Sequence, residues 1–265
     1  MAKRNNNNIL QGIKHDIDTQ GKDLEIVALA DLHIGDCNVN MQLITDLIDT
    51  IQNTPNRYCV LLGDLMNTAI ANSKSDVYSE TSNASETLDK CVELLQPIKD
   101  KILAIVPGNH EERITRAVGF DVTEQLAKRL DLGHLYSSTS GLLFVKFGRS
   151  TKTCAPLTYS VYLNHGAGGG RKIGGKLNRL ADYALLIDAD AYIVGHTHLP
   201  ASFKMCSYRV TPQRAQATLH EQLFVNTASA LNYGGYGRRG GYQPASNAYP
   251  VLTFSATEQH MTVTL

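Results

Sequence analysis

The sequence lacks an excess of charge of either sign. Lys plus Arg and Asp plus Glu each number 25. No overall field draws such a chain to polyanions, so a nucleic-acid partner would have to be held by a local patch. It also lacks long apolar runs. The longest, around residues 26–30 and 184–187, are far too short to cross a bilayer. No apolar stretch follows the first basic residues: Met-Ala-Lys-Arg passes straight into four asparagines, which is not the pattern of a secretory signal. The expectation is a soluble, cytoplasmic protein. No CxxC pair occurs among Cys37, Cys59, Cys91, Cys154 and Cys206. An odd, scattered set suits reduced, mostly buried thiols better than a disulfide framework or a thiolate metal site. There is no internal repeat.

What is present is a chain of 265 residues, 43% of them hydrophobic, enough for one large domain with a real core. Residues 1–23 are polar and read as a loosely attached segment, leaving 24–265 as the single domain. Apolar runs at 25–30, 57–62 and 101–106 read as buried strands. Helical spacing marks 40–52, 85–95 and 172–187, and Asp121 with Glu124 marks a further helix start. The second half reads as mostly strands, at 142–147, 158–163, 191–194, 202–206, 222–225, 251–255 and 261–265. Stretches 66–82 and 232–250 read as long loops. Alternation of strands and helices followed by more strands predicts an α/β fold of two packed sheets with helices outside.

Five times an apolar run ends in a polar cluster: Asp31-Leu32-His33, Gly63-Asp64, Gly108-Asn109-His110-Glu111, His165-Gly166 and Gly195-His196-Thr197-His198. Ligands in α/β sheets gather beyond the carboxyl ends of strands, so these clusters are expected to converge on one edge. Imidazole with carboxylate suits Mn, Fe, Zn or Ni. Asp31-x-His33 and His196-x-His198 would each put two donors on one side of an extended segment, since side chains alternate there. The neighbouring glycines let the backbone turn at close quarters. Singly, each cluster reads as readily as an ordinary turn; the ordered set does not.

The ordered set resembles the calcineurin-like metallophosphoesterase family, whose pattern runs D-x-H, G-D, G-N-H-[E/D], H, G-H-x-H. The resemblance spans residues 25 to about 200 and implies a four-layer α/β/β/α sandwich with a binuclear metal centre at one edge. By motif position Asp31, His33 and His198 would hold one divalent ion, Asn109, His165 and His196 a second, and Asp64 both. His110 would be the unligated catalytic histidine, and Mn is the favoured metal. The chain departs from the family where G-D-x-x-D would follow: Gly63-Asp64-Leu65-Met66-Asn67-Thr68 has Asn67 for the second carboxylate and no arginine after it. That argues against a protein phosphatase. Glu111 would either orient His110 or be a surface residue beside it.

Paired metals lower the pKa of a bridging water and clamp an in-line displacement, so a phosphoester hydrolase is expected. The leading expectation is a phosphodiesterase acting on a nucleotide or nucleic acid. The alternative is a phosphomonoesterase acting on a phosphoprotein or small phosphorylated metabolite. A non-catalytic metal scaffold is disfavoured, because every ligand position and His110 are present. Two glycine-rich stretches bear on substrate. Residues 166–176, with Arg171 and Lys172, would cradle phosphate or form a flexible turn. Residues 233–242, with Arg238 and Arg239 among tyrosines, would stack on bases and meet phosphates, or form a surface loop. Sequence leaves oligomeric state open.

Overall fold

The computed structural model describes residues 12–71, 73 and 77–265; the first eleven residues of the polar N-terminal stretch lie outside these. In chain order the elements are β1 (Gly12–Asp16), β2 (Leu24–Leu29), α1 (Met41–Asn53), β3 (Arg57–Leu62), α2 (Ala84–Leu95), β4 (Ile102–Val106), α3 (Asn109–Val118), α4 (Val122–Arg129), β5 (Ser140–Arg149) and β6 (Pro156–Asn164). They continue with α5 (Ile173–Asp182), β7 (Ala191–Val194), β8 (Ala201–Thr211), β9 (Gln216–Asn226), α6 (Gly235–Arg239), β10 (Val251–Phe254) and β11 (Met261–Thr264).

Two mixed sheets form, in the orders β11-β10-β2-β3-β4 and β1-β5-β6-β7-β9-β8. Strands β2, β3 and β4 run parallel, as do β6, β7 and β9. Alternation along β2 shows how the layers are made. Leu24, Ile26 and Ala28 enter the core between the sheets, where they meet Leu143, Val145, Val161 and Ile193. Val27 and Leu29 face the other way, into a core shared with Ile44, Ile48, Leu88, Leu95 and Leu126 of α1, α2 and α4. Burial on both faces is why these strands read as unbroken apolar runs. On the far side, Leu180 of α5 covers Tyr162, Tyr192 and Phe224. The result is the expected four-layer α/β/β/α arrangement.

Local signals agree with this. Asn83 caps α2 in a reciprocal capping box with Glu86, and the Asp121 side chain accepts from the Glu124 amide at the start of α4, each arrangement satisfying amides that a helix end leaves unpaired.

Several expectations need correction. Residues 12–16 of the supposedly loose segment form β1, which pairs in parallel with β5. Only Ile13 packs into the cores, so no apolar run announced it. α3 was not foreseen. Its sequence has Glu111 as its one buried residue, so no buried apolar face marks it. β8 and β9 each extend to 11 residues; their outer halves are exposed and carry no burial pattern. A short helix, α6, interrupts the loop at 232–250. The thiols are all free, but Cys37, Cys154 and Cys206 are exposed and only Cys59 and Cys91 buried, against the expectation of mostly buried ones. Among the described residues no helix is long and apolar enough to cross a membrane.

Candidate metal centre

The five clusters lie immediately beyond β2, β3, β4, β6 and β7, and the structure brings them together along the edge where the two sheets meet. The strand-end segments are zipped to one another by backbone hydrogen bonds. Asp31 N–H donates to Gly63 O (3.0 Å), His33 N–H to Asp64 O (2.9 Å) and Gly195 N–H to His165 O (3.1 Å). Such close approach needs missing side chains: a Cβ on Gly63 would lie 2.4 Å from the Gly108 nitrogen, and one on Gly108 2.2 Å from that of Asp64.

The segments are not extended as the sequence reading assumed. Asp31, His33, Asp64, His196 and His198 all have left-handed backbones, with φ of 52°, 50°, 48°, 65° and 52°. Such conformations cost non-glycine residues about 1–3 kcal/mol each and cluster at functional sites. Kinking after each strand, not alternation along it, turns Asp31 with His33, and His196 with His198, toward the centre.

Three groups of potential ligand atoms result, each with all atoms within 4.8 Å of one another: Asp31, His33 and His198; His33, Asp64 and His110; Asp64, His165 and His196. Asp64 is in two of them. Its Oδ2 lies 3.2 Å from His165 Nε2 and 3.7 Å from His110 Nε2, and its Oδ1 accepts from the His110 amide at 2.8 Å. Asn109 Oδ1 is 3.2 Å from His165 Nε2. Three imidazoles are fixed from behind. Nδ1–H of His165 donates to Leu62 O (2.9 Å), that of His110 to Asn67 O (2.9 Å), and that of His33 to the Asn67 side-chain oxygen (3.3 Å). Asn67 is oriented in turn by donating to Glu80 and Asp36, so the amide that stands for the family's second carboxylate does a carboxylate's positioning work. Each Nε2 is left to face the centre, the tautomer that metal-ligating histidines use.

The buried carboxylates and imidazoles act strongly on one another. Burial alone would raise Asp64, but the imidazoles of His165, His110 and His33 hold its carboxyl well below the usual range. Asp31 is likewise held low against its burial by His198 and His165. Burial pushes His165 down, yet Asp64 and Asp31 outweigh it and hold that imidazole up at about 10. Burial, with neighbouring histidines, pushes His33 well down and His196 down. Asp31 Oδ1 is buried with no hydrogen-bond partner, 3.1 Å from His198 Nε2 and 3.9 Å from His33 Nε2, and His33 and His198 bring their Nε2 atoms within 3.2 Å. One carboxylate oxygen and two imidazole nitrogens thus converge on a single point, the donor set that a divalent ion takes. The residues fit divalent ions.

Glu111 matches neither of its two expected roles. It is 1% exposed, and its carboxylate accepts from the amides of Asp64 (2.9 Å), Met66 (2.9 Å) and Gly108 (3.0 Å). It thus ties the turn after β3 to the turn after β4 from beneath and is not surface. Burial, with the Asp64 charge, pushes its carboxyl up to about 7. Glu111→Ala would strand three buried N–H groups at about 1–3 kcal/mol each. The metal-free protein is expected to lose at least about 3 kcal/mol in urea unfolding, with a smaller loss for Glu111→Gln; an alanine loss below about 1 kcal/mol would remove this bracing role.

Arg113 escaped the sequence reading. It is half-buried on α3, one turn beyond Asn109, and burial lowers its guanidinium against the charges of Asp64, Glu111 and Glu80. The helical i, i+4 spacing from Asn109 was the available signal, lost with the helix itself. Of the four cations named for substrate, Arg171 and Lys172 are exposed just before α5, and Arg238 and Arg239 are exposed in the last turn of α6. The two glycine-rich stretches do meet, because the Arg171 guanidinium lies 5.7 Å from the centre of the Tyr242 ring. The Tyr236 side chain lies outside the described residues.

The chain belongs to the calcineurin-like phosphoesterase family, whose pattern matches residues 24–200. This is a family of metal-dependent phosphoesterases, and the ligand groups above are its candidate metal sites here. No curated protein matches the chain in sequence. Solved structures similar to it include a conserved uncharacterized protein from Streptococcus pneumoniae described as a predicted phosphoesterase, 13% identical with a TM-score of 0.37. A single mutant of Vps29 from Entamoeba histolytica is 14% identical with a TM-score of 0.40, and wild-type Vps29 of the same organism, complexed with zinc, 13% identical with 0.39. Each comparison covers 91% of this chain and 97% of the other.

Proposed function

We propose that the chain hydrolyses phosphodiesters of nucleotide or nucleic-acid type with two divalent metal ions held side by side. Asp31, His33 and His198 would hold one, Asn109, His165 and His196 the other, and Asp64 both. The observation that carries the reading is the place of Asp64 between the two sets: it groups with His165 and His196 on one side and with His33, itself grouped with Asp31 and His198, on the other. Two such ions, Mn by preference and Fe, Zn or Ni otherwise, would supply hydroxide at neutral pH and neutralise charge on the reacting phosphate.

The chain's own residues do the rest. His110, anchored through Nδ1, presents Nε2 to a departing oxygen and protonates it, a role typically worth about 10²–10⁴-fold. Asn67 fixes both His33 and His110. Glu111 holds the turns that carry Asp64 and Asn109 in register. Arg171, Lys172, Arg238 and Arg239 would meet further phosphates of a longer substrate, which a chain without net charge can hold only through a local patch.

A diester is favoured over a monoester for two reasons. A dianionic terminal phosphate calls for several cations, and the turn after Asp64 offers Leu65, Met66, Asn67 and Thr68, none charged, leaving the half-buried Arg113, whose charge Asp64, Glu111 and Glu80 already offset. A cavity lined by Gly166 and Thr197, the chain neighbours of His165 and His196, would also take a second ester substituent. With each candidate metal, bis-p-nitrophenyl phosphate is expected to give a higher kcat/KM than p-nitrophenyl phosphate. The opposite order would favour a monoesterase acting on a phosphoprotein or small phosphorylated metabolite.

A further inference from the structure

The cavity beside the centre has a volume of about 580 Å³, within the range of small-molecule sites. Its lining includes the turn Gly166–Gly168 that follows His165, Thr197, between His196 and His198, and Asn226. α5 and the turn after it add Tyr183, Leu185 and Leu186. Gly166 is the chain neighbour of His165, and Thr197 that of His196 and His198, so the cavity borders the segments that carry the candidate ligands.

The lining describes the group it would take. Leu185 and Leu186 are 84% and 73% exposed. Two adjacent bare leucines at the mouth of a cavity are apolar surface suited to covering by a ligand. The Tyr183 ring is held beside them, its hydroxyl donating to Asn164 Oδ1 at 3.0 Å. Two cations share the wall with one carboxylate, Asp182. Lys176 Nζ donates to Thr197 O (2.8 Å), and Arg179 Nη1 donates to Ala167 O (2.7 Å). The Arg179 guanidinium lies where a Cβ on Gly168 would stand, so glycine there is what lets it lie along the turn. Both cations keep N–H groups beyond these anchors. Asn226 is 1% exposed. Its Nδ2 donates to the Thr197 hydroxyl and to Leu199 O, which holds Thr197 in place.

We infer that this cavity seats the nucleoside of a nucleotidyl phosphoester, with its base against Tyr183, Leu185 and Leu186 and its anionic linkage matched by Lys176 and Arg179. A flat, largely apolar group carrying negative charge complements a wall that is apolar with a net positive charge. This rests on the phosphoesterase reading above for where the phosphate sits. It also goes beyond that reading, because the four cations named earlier do not line this cavity.

The test compares thymidine 5′-(p-nitrophenyl phosphate) with methyl p-nitrophenyl phosphate, both with Mn²⁺, in the parent and in L185S/L186S and Arg179→Gln. The substituted residues are exposed, so the fold should survive. The parent is expected to show a KM at least about tenfold lower for the nucleotidyl ester, and L185S/L186S to abolish most of that ratio. Arg179→Gln should reduce it too. Equal KM values for the two esters in the parent, or equal losses on both in the double variant, would overturn the inference. Saturation-transfer NMR with AMP in the presence of a chelator separates this from the hydrolysis question. Base protons should be saturated by the parent and much less by L185S/L186S. If no ester is turned over yet this NMR pattern holds, the cavity assignment stands and the phosphoesterase reading falls. Absence of base contact in the parent overturns the cavity assignment whatever the kinetics.

Discussion

Replacing Asp64 by Asn is expected to leave the protein folded but unable to hold two metal ions, and to lower kcat/KM on bis-p-nitrophenyl phosphate by about 10³-fold or more. Oδ1 can still accept from the His110 amide, as it does now at 2.8 Å. The other position, which faces His165 Nε2 at 3.2 Å and His110 Nε2 at 3.7 Å, becomes an amide NH₂. That group donates to the imidazole lone pair that would otherwise take a metal, and it removes the one anionic ligand shared between two groups. The loss should therefore equal or exceed the ~10²–10³ that follows removal of a single electrostatic donor. Elemental analysis decides the matter. Two tightly bound metals per chain in Asp64→Asn would contradict the shared role outright.

The second large effect is expected at His110, and it should depend on the leaving group. His110→Ala removes a side chain anchored by Nδ1 to Asn67 O and leaves Asp64, His165 and His196 in place, so metal content should not change. On an alkyl ester, whose departing oxygen needs a proton, turnover should fall about 10²–10⁴-fold. On a nitrophenyl ester, which leaves readily without one, the fall should be much smaller. Equal losses on both would reduce His110 to a phosphate-binding group. Burial lowers the His110 imidazole below its ordinary range, which keeps it neutral at rest near pH 7. The negative charge of a bound ester favours the protonated form that the reaction requires.

The candidate centre was legible in the sequence because each ligand stands where an apolar run stops. The runs through Ala30, Leu62, Val106, Asn164 and Val194 are buried strands of two sheets, and their ends share one edge. What was not legible depends on conformation beyond the strand. Asp31 and His33 were read as two donors on one side of an extended segment, but both are left-handed, and no residue type announces that. Glu111 was judged by its neighbour His110, whereas the helix it opens turns it down toward the amides of Asp64 and Met66. Lys176 and Arg179 carry no such mark in the sequence. Helical phase, not proximity to the glycines, decides which cations turn toward Thr197 and Ala167. β1 was missed because an edge strand with one packed side chain leaves almost no hydrophobic pattern.

The two sheets are joined across their faces mainly by apolar contact, in the core of Leu24, Ile26, Val60, Leu143, Val161 and Ile193, with a hydrogen bond from His15 to Leu103 O nearer the rim. Along the edge that carries the candidate ligands the contacts are polar, and several backbones are strained. Asp31 and Asp64 follow strands of the five-stranded sheet, while His165, His196 and His198 follow strands of the six-stranded one. An ion shared by Asp31 and His198, or by Asp64 and His165, would thus tie segments far apart in sequence and drawn from different layers. Coordination would do here what a disulfide does in other chains, in a protein whose five cysteines are all free. Binding free energy at such a site is also folding free energy, so ligand strength is set by the stability of the seam between the sheets as well as by the chemistry performed on it.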